Sequence, residues 1–89
     1  ITTLIMKHIQ YPTCGTCSRQ IDFDLADDGT IHNITFLGGC NGNLQGIGRL
    51  CEGRDATSVA QCLAGTNCNG KGTSCPDQLA RAIARAMAE

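Results

Sequence analysis

Cysteine is the residue that most constrains this chain, because it occupies 7 of the 89 positions. That share is close to the level typical of small domains that are cross-linked by disulfides or held by metal ions. Only one tyrosine and two phenylalanines are present, so the core must be small and aliphatic. A short chain with so few large apolar side chains commonly needs an additional cross-link to fold stably. We therefore expect sulfur chemistry to contribute to the fold.

The cysteine count also bears on the cellular compartment. The count is odd, whereas secreted disulfide frameworks usually carry even numbers. The start of the chain has too few apolar residues for a signal peptide and far too few to span a bilayer. In a reducing cytosol, a small cysteine-dense chain more often binds metal than forms disulfides. We therefore expect a cytoplasmic protein with one domain over residues 1–89, in which residues 1–6 are a disordered or non-native start.

The charge balance excludes two classes of partner. Seven lysines and arginines stand against eight aspartates and glutamates, and the formal net charge is −1. The sequence has no basic stripe and no acidic tail. We therefore expect neither nucleic acid nor a membrane surface as a partner.

A β-hairpin is the first structural element that the sequence predicts. Residues 21–25 alternate between apolar and polar side chains, as in a half-buried strand. Asp27, Asp28 and Gly29 follow as a turn, in which Gly29 suits a positive φ. Residues 31–37 form the second strand. Residues 7–11 can add a third strand, which Pro12 would place at an edge of the sheet or end.

Helices are predicted in the rest of the chain. Apolar residues recur at helical spacing over 43–51, although Gly46 and Gly48 weaken this helix and suggest a close approach by packing or a ligand. Gly53 is placed to end it. A second helix is predicted over about residues 57–64, closed by Gly65. Strands followed by helices predict an α+β fold, with a small antiparallel sheet covered on one face by about three helices.

The last helix has the clearest start signal. Ser74 is placed as its N-cap, Pro76 lies in the first turn, and Asp77 can reach back as in a capping box. Leu79, Ile83 and Met87 are expected to line the apolar face of this helix. Arg81 and Arg85 lie on another face.

Five cysteines are candidates for ligation. Cys40 lies where a strand leads into a helix and Cys75 lies one residue past an N-cap; both positions favour a thiolate. Cys68 lies in a polar, glycine-rich loop. Cys14 and Cys17 form a C-x-x-C pair, which suits a metal knuckle or a redox pair.

The other two cysteines have a simpler interpretation. Cys51 and Cys62 each lie on a predicted helix beside a leucine. We expect both to be small apolar residues of the core.

The sequence resembles the TSCPD domain family. Residues 73–77 read TSCPD, and residues 38–47 read GGCNGNLQGI, which is similar to the family's second motif. The resemblance covers about residues 7–88. It implies a small stand-alone protein or a C-terminal module of adenosylcobalamin-dependent ribonucleotide reductases. It also implies that the family's cysteines are Cys17, Cys40, Cys68 and Cys75, with Cys14 an additional candidate.

A weaker similarity of architecture points to iron–sulfur scaffold proteins of the IscU and NifU type. In those proteins a cysteine precedes a hairpin, Gly-Cys opens a helix, and another cysteine lies near the start of the last helix. Cys17 or Cys14, Cys40 and Cys75 match this order. The scaffold's aspartate after its first cysteine has no counterpart, because Ser18 and Arg19 follow Cys17. A fourth cysteine suggests a closed, stably held site.

Several functions are compatible with these observations. The first is a metal-binding module holding Zn²⁺ or an iron–sulfur cluster, which serves a ribonucleotide reductase or another redox protein. The second is a thiol–disulfide module that uses Cys14 and Cys17, and the third is a cluster scaffold. A fourth is catalysis with Cys75 or Cys40 as nucleophile. We do not expect the chain to be an enzyme alone, because 89 residues leave no room for a reductase barrel. The resemblance connects the chain with ribonucleoside-diphosphate reductases only through their association with this domain.

Overall fold

The computed structural model describes residues 5–13, 18–38, 41–66 and 73–88. Three strands are followed by three helices, which confirms the α+β class predicted from the sequence. The strands are β1 (Met6–Pro12), β2 (Ser18–Ala26) and β3 (Ile31–Gly38), and the helices are α1 (Asn41–Cys51), α2 (Ala56–Leu63) and α3 (Cys75–Ala88). Within these residues no helix has the length and hydrophobicity needed to cross a bilayer.

The predicted hairpin is present and consists of β2 and β3. Gly29 adopts a φ of +88° in the connecting turn, and its N–H donates to the Ala26 carbonyl at 2.9 Å. The Asp28 carboxylate accepts from both the N–H and the hydroxyl of Thr30, at 3.0 and 2.6 Å. Local side-chain chemistry therefore closes the turn, as expected for aspartate and glycine.

The third strand is an edge strand, as predicted. β1 pairs antiparallel with β2, from Met6 opposite Ala26 to Pro12 opposite Gln20, and the strand order is β1-β2-β3. Pro12 ends β1, since its nitrogen has no hydrogen to donate to a ladder.

A β-bulge in β3 was not predicted. Asp22 lies opposite Thr35 and Asp24 opposite His32, so a single residue of β2 faces two residues of β3. Asn33 takes up the extra residue with a φ of +56°, which asparagine tolerates better than most side chains. Because the bulge shifts the alternation, Ile31, Ile34 and Phe36 all direct their side chains to the side of the sheet that the helices cover.

All three helices lie over one face of the sheet, and the core lies between the two layers. Its fully buried large side chains are Phe23, Ile21, Ile31, Leu79 and Ile83. Smaller residues of the helices fill the gaps between them, namely Cys51, Ala56, Val59, Ala82 and Ala86. A core with one phenylalanine among aliphatic side chains agrees with the lean composition.

Two of the three glycines of α1, Gly46 and Gly48, differ in what surrounds them. A Cβ at Gly48 would lie 3.1 Å from the carbonyl oxygen of Ile34, so this glycine lets α1 approach β3 closely. A Cβ at Gly46 would meet no atom within 4 Å. The close approach inferred from the sequence is therefore confirmed at Gly48, where packing against the strand is the cause, and nothing in the structure explains Gly46.

Helix boundaries differ from the predicted ones by one or two residues. α1 begins at Asn41 and α2 at Ala56, where Asp55 is the N-cap and accepts from the Ser58 N–H at 2.9 Å. The predicted terminators Gly53 and Gly65 follow their helices with φ of +76° and +83°. The prediction for Met87 was wrong: it is 48% exposed, because the buried face of α3 continues through Ala82 and Ala86.

Candidate functional site

The N-terminus of α3 carries the one predicted ligand that the structure describes. Cys75 is the first residue of the helix and is 7% exposed. Ser74 precedes it, and the Ser74 hydroxyl oxygen accepts from the N–H of Asp77 at 3.1 Å, which confirms the predicted cap. A helix N-terminus stabilises a thiolate through its unpaired N–H groups and its dipole. Cys75 therefore has an electrostatic setting that suits ligation.

Asp77 is the centre of the hydrogen-bond network at this end of α3. One of its carboxylate oxygens accepts from the Gly65 N–H at 2.7 Å. The other accepts from the Thr73 hydroxyl at 2.6 Å and from Nε of Arg81 at 2.9 Å. The hydrogen bond from Thr73, followed by that from Gly65, lowers the pKa of this buried carboxyl below its ordinary value. Asp77 thus binds neighbouring segments of the same chain, a role that differs from the predicted capping-box contact with Ser74.

This carboxylate fixes both flanks of one loop. Gly65 lies just after α2 and Thr73 just before α3, and both donate to the same side chain. Gln78 adds a further contact, since its amide nitrogen donates to the Thr73 hydroxyl oxygen at 2.9 Å. The residues between these flanks, including Cys68, lie outside the described residues.

The sheet fixes a second pair of chain segments. Ser18, at the start of β2, lies opposite Gly38, at the end of β3. Cys17 immediately precedes Ser18 in the chain, and Cys40 is the second residue after Gly38. Cys14, Cys17 and Cys40 themselves lie outside the described residues.

Contacts at the opposite end of the molecule show how the helices run relative to the sheet. After α1, the Gly53 N–H donates to the Ile31 carbonyl at 2.7 Å, so α1 returns along β3 to the hairpin turn. The Ala56 N–H donates to the Gly29 carbonyl at 2.8 Å, so α2 begins at the same turn. Leu25 and Met87 line one cleft there, which also places the C-terminus of α3 at this end. The start of β2, the end of β3, the end of α2 and the start of α3 therefore lie towards the other end.

In the described part of the chain, no group of three or more histidine, cysteine, aspartate or glutamate side chains has an arrangement that would hold a metal ion. Asp77, the acidic side chain closest in sequence to Cys75, has both carboxylate oxygens engaged by protein donors.

The two remaining cysteines differ from each other in burial. Cys51 is 7% exposed and belongs to the core, as predicted. Burial raises the pKa of its thiol, Arg54 lowers it, and Cys62 raises it further. The prediction for Cys62 was wrong, because this side chain is exposed. The buried face of α2 is formed by Ala56 and Val59, which leaves Cys62 towards solvent.

Cys51 and Cys62 line the same surface groove. The groove has a volume of about 650 Å³ and lies between α1 and α2. Leu50, which is 71% exposed, borders it. Most of the side chains that line the groove are apolar.

Both histidines belong to a network of polar side chains. On the face of the sheet away from the helices, Nδ1 of His8 lies 2.7 Å from Asp24. The side-chain amide of Asn33 donates to the other oxygen of Asp24 at 2.9 Å. The backbone N–H of Asn33 donates to a carboxylate oxygen of Glu52 at 2.7 Å. Glu52 also lies 2.6 Å from Nδ1 of His32. The network connects all three strands to the residue after α1; long-range pairing of this kind leaves no local sequence signal.

Comparison with known proteins identifies a family for this chain. The family model of the TSCPD domain matches residues 3–87, which is nearly the whole chain. No curated protein and no solved structure matches significantly, so the architectural similarity to IscU-type scaffolds is not confirmed.

Proposed function

The chain belongs to the TSCPD domain family, and on this basis we propose that it is a cysteine-ligated metal-binding module that serves a ribonucleotide reductase or another redox protein. The family is associated with ribonucleotide reductases, which supports the partner at the level of a class. With 89 residues, the chain is too small to hold the barrel and nucleotide site of such a reductase itself. We propose an accessory role for this domain, in electron transfer or in structure.

The ligands we propose are Cys17, Cys40, Cys68 and Cys75, with Cys14 an alternative to Cys17. The observation that carries this choice is the direction of the elements. Four described residues at the ends of strands and helices lie towards the same end of the molecule, namely Ser18, Gly38, Gly65 and Cys75. Each of the four proposed ligands is one of these residues or lies within three positions of one along the chain. Three extended residues span at most about 10 Å, so the cysteine backbones can lie no further than that from these four described residues.

The donor set determines the class of metal. Four thiolates suit tetrahedral Zn²⁺ or an iron–sulfur cluster, and both are retained in the proposal. A bound zinc ion would cross-link the loops, whereas a cluster would also accept and release an electron. Within the chain, Ser74 caps the helix that presents Cys75, and Asp77 holds the two flanks of the loop that carries Cys68.

The direct test is elemental analysis and acid-labile sulfide determination on protein purified without oxygen, together with its absorption spectrum. About one zinc ion per chain without a visible band would support a structural zinc site. Iron with acid-labile sulfide and a visible band would support a cluster. Neither metal, together with two fewer thiols than the seven in the sequence, would contradict the proposal and favour a Cys14–Cys17 disulfide.

Single substitutions identify the ligands. Replacement of Cys17, Cys40, Cys68 or Cys75 by serine should each lower the metal content and the melting temperature. Cys62→Ser is the matched control, because its thiol is exposed and is not among the proposed ligands. A Cys68→Ser variant with the metal content and melting temperature of the wild type would remove Cys68 from the site.

The partner is tested separately. Calorimetric titration of the metal-loaded chain with a purified adenosylcobalamin-dependent ribonucleotide reductase should give a saturable signal. A signal with this reductase and none with an unrelated protein of equal charge would support the association. Metal binding without any interaction with the reductase would support the metal-binding module and contradict this partner.

A further inference from the structure

The outer edge of β1 offers backbone groups that no described strand takes up. The Asp27 N–H donates to the Ile5 carbonyl at 2.9 Å, and the Thr13 N–H donates to the Arg19 carbonyl at 3.0 Å. In an antiparallel pair, alternate residues direct both backbone groups to the partner strand. The odd-numbered residues of β1 therefore bond to β2.

The even-numbered residues of β1 consequently direct their backbone groups away from the sheet. At His8 and Gln10 both the N–H and the C=O point outward, and the same holds for Met6. Pro12 limits this row at one end because it has no N–H. Exposed edges of this kind pair readily with an added extended chain.

A groove runs beside this edge, between β1 and α3. Its volume is about 330 Å³, and five consecutive residues of β1, 7–11, form one wall. Ala82 and Ala86 form part of the α3 side. Because alanine side chains are short, the helix leaves space beside the strand. Other domains bind extended peptides in a groove of this kind, between an edge strand and a helix.

The charge of the groove favours an acidic occupant. Arg85 lines it and holds its guanidinium carbon 5.8 Å from the centre of the Tyr11 ring. None of the residues that line the groove is acidic. The nearby carboxylates of Asp22 and Asp24 pair with His8 on the other face of the sheet.

From this arrangement we propose that the β1 edge and the adjoining groove bind an extended acidic segment of a partner protein, which adds to the sheet as a fourth strand beside β1. Residues of the segment that lie opposite His8 and Gln10 exchange backbone hydrogen bonds with them. The alternate residues of the segment direct their side chains towards α3, where carboxylates meet Arg85. None of the residues that line this surface is a cysteine assigned to the metal, so the surface can be tested without reference to them.

The probe is a fluorescent, end-blocked peptide of alternating glutamate and threonine, measured by anisotropy with the full chain. The exchange of hydrogen bonds with His8 and Gln10 requires antiparallel pairing, in which the threonine backbone groups face β1 when the glutamate side chains face α3. N-methylation of the central threonines should weaken binding by about tenfold or more, because it removes N–H donors and blocks the edge. N-methylation of the glutamates, whose N–H groups point away, should leave binding unchanged.

Variants and amide exchange complete the test. Arg85→Gln should weaken binding by up to roughly fivefold, whereas Arg49→Gln on α1 should have no effect. On saturation, the amides of His8 and Gln10 should gain protection from hydrogen exchange, whereas those of Ile9 and Tyr11 are already protected by β2.

Two results would overturn the proposal. One is equal binding of both N-methylated peptides, since the edge would then not take part. The other is dimerisation of the chain alone that increases with concentration in sedimentation and is reversed by the unmethylated peptide but not by the peptide methylated at its threonines. In that case the occupant of the edge would be a second copy of the chain.

Discussion

The backbone N–H of Gly65 lies 2.7 Å from a carboxylate oxygen of Asp77, twelve positions further along the chain. The hydroxyl of Thr73 binds the other oxygen of the same carboxylate at 2.6 Å. One aspartate in the first turn of α3 thus holds the entry and the exit of the loop that carries Cys68. In the TSCPD motif, the threonine, serine and aspartate serve to position the helix start that bears Cys75.

Asp77→Asn should destabilise the protein by about 2 kcal/mol, because an amide cannot accept from all three buried or half-buried donors. Urea unfolding of the two proteins measures this difference. The variant should also retain less metal, since the loop flanks lose their common anchor. Asp27→Asn in the exposed turn is the control and should unfold like the wild type; an equal loss in both variants would contradict the role given to Asp77.

The same carboxyl makes stability depend on acid pH. Because its pKa is lowered in the folded protein, Asp77 stabilises the fold above the ordinary carboxyl pKa, and the contribution is lost as the pH falls through the lowered value. The melting temperature should therefore fall on acidification more steeply in the wild type than in Asp77→Asn. Parallel curves for the two proteins at acid pH would contradict this linkage.

His8 should titrate above the ordinary histidine value. The hydrogen bond to Asp24 raises the pKa of His8, and this interaction stabilises the fold below the ordinary value and is lost as the pH rises through the raised one. Nuclear magnetic resonance titration of the ring measures the midpoint. Asp24→Asn should return the midpoint towards 6.5, and added salt should do so in part because the pair is exposed. A midpoint unaffected by Asp24→Asn would remove this carboxylate as the cause.

Gly46 and Gly48 of α1 form a matched pair. Gly46→Ala should stabilise the protein by up to about 1 kcal/mol through helix propensity, because the new methyl group meets open space. Gly48→Ala should leave the protein less stable than Gly46→Ala does, by about 1 kcal/mol, because its methyl group lies 3.1 Å from the Ile34 carbonyl oxygen of β3. Thermal unfolding of both variants gives the comparison. Equal stabilisation by the two substitutions would show that α1 does not lie close to β3 at Gly48.

Cys51 and Cys62 should differ in reactivity and in their contribution to stability. Brief alkylation followed by peptide mass mapping should label Cys62 well before Cys51, whose thiol is buried and has a raised pKa. Cys51→Ala should cost about 1 kcal/mol of packing energy, whereas Cys62→Ala should change the free energy of unfolding by less than about 0.5 kcal/mol. Faster labelling of Cys51 would contradict its place in the core.

Local signals in the sequence determined much of this protein. The alternation over residues 21–25, the aspartates and glycine of the turn, and the cap at Ser74 each depend on neighbours within a few residues, and all three are confirmed. The family could also be identified, because its motifs are short and contiguous. The ligand role of the cysteines remains a proposal.

Only the tertiary structure decided the features that depend on distant partners. Asp77 was expected to bind its own helix start, yet the chain brings Gly65 within its reach. Cys62 was expected in the core, yet the orientation of α2 leaves it exposed. The bulge at Asn33 and the open edge of β1 depend on how strands pair and where the sheet stops. Turns and caps are set by hydrogen bonds between near neighbours, whereas burial and anchoring are set by which surfaces meet, and that is fixed only when the sheet and its helices pack together.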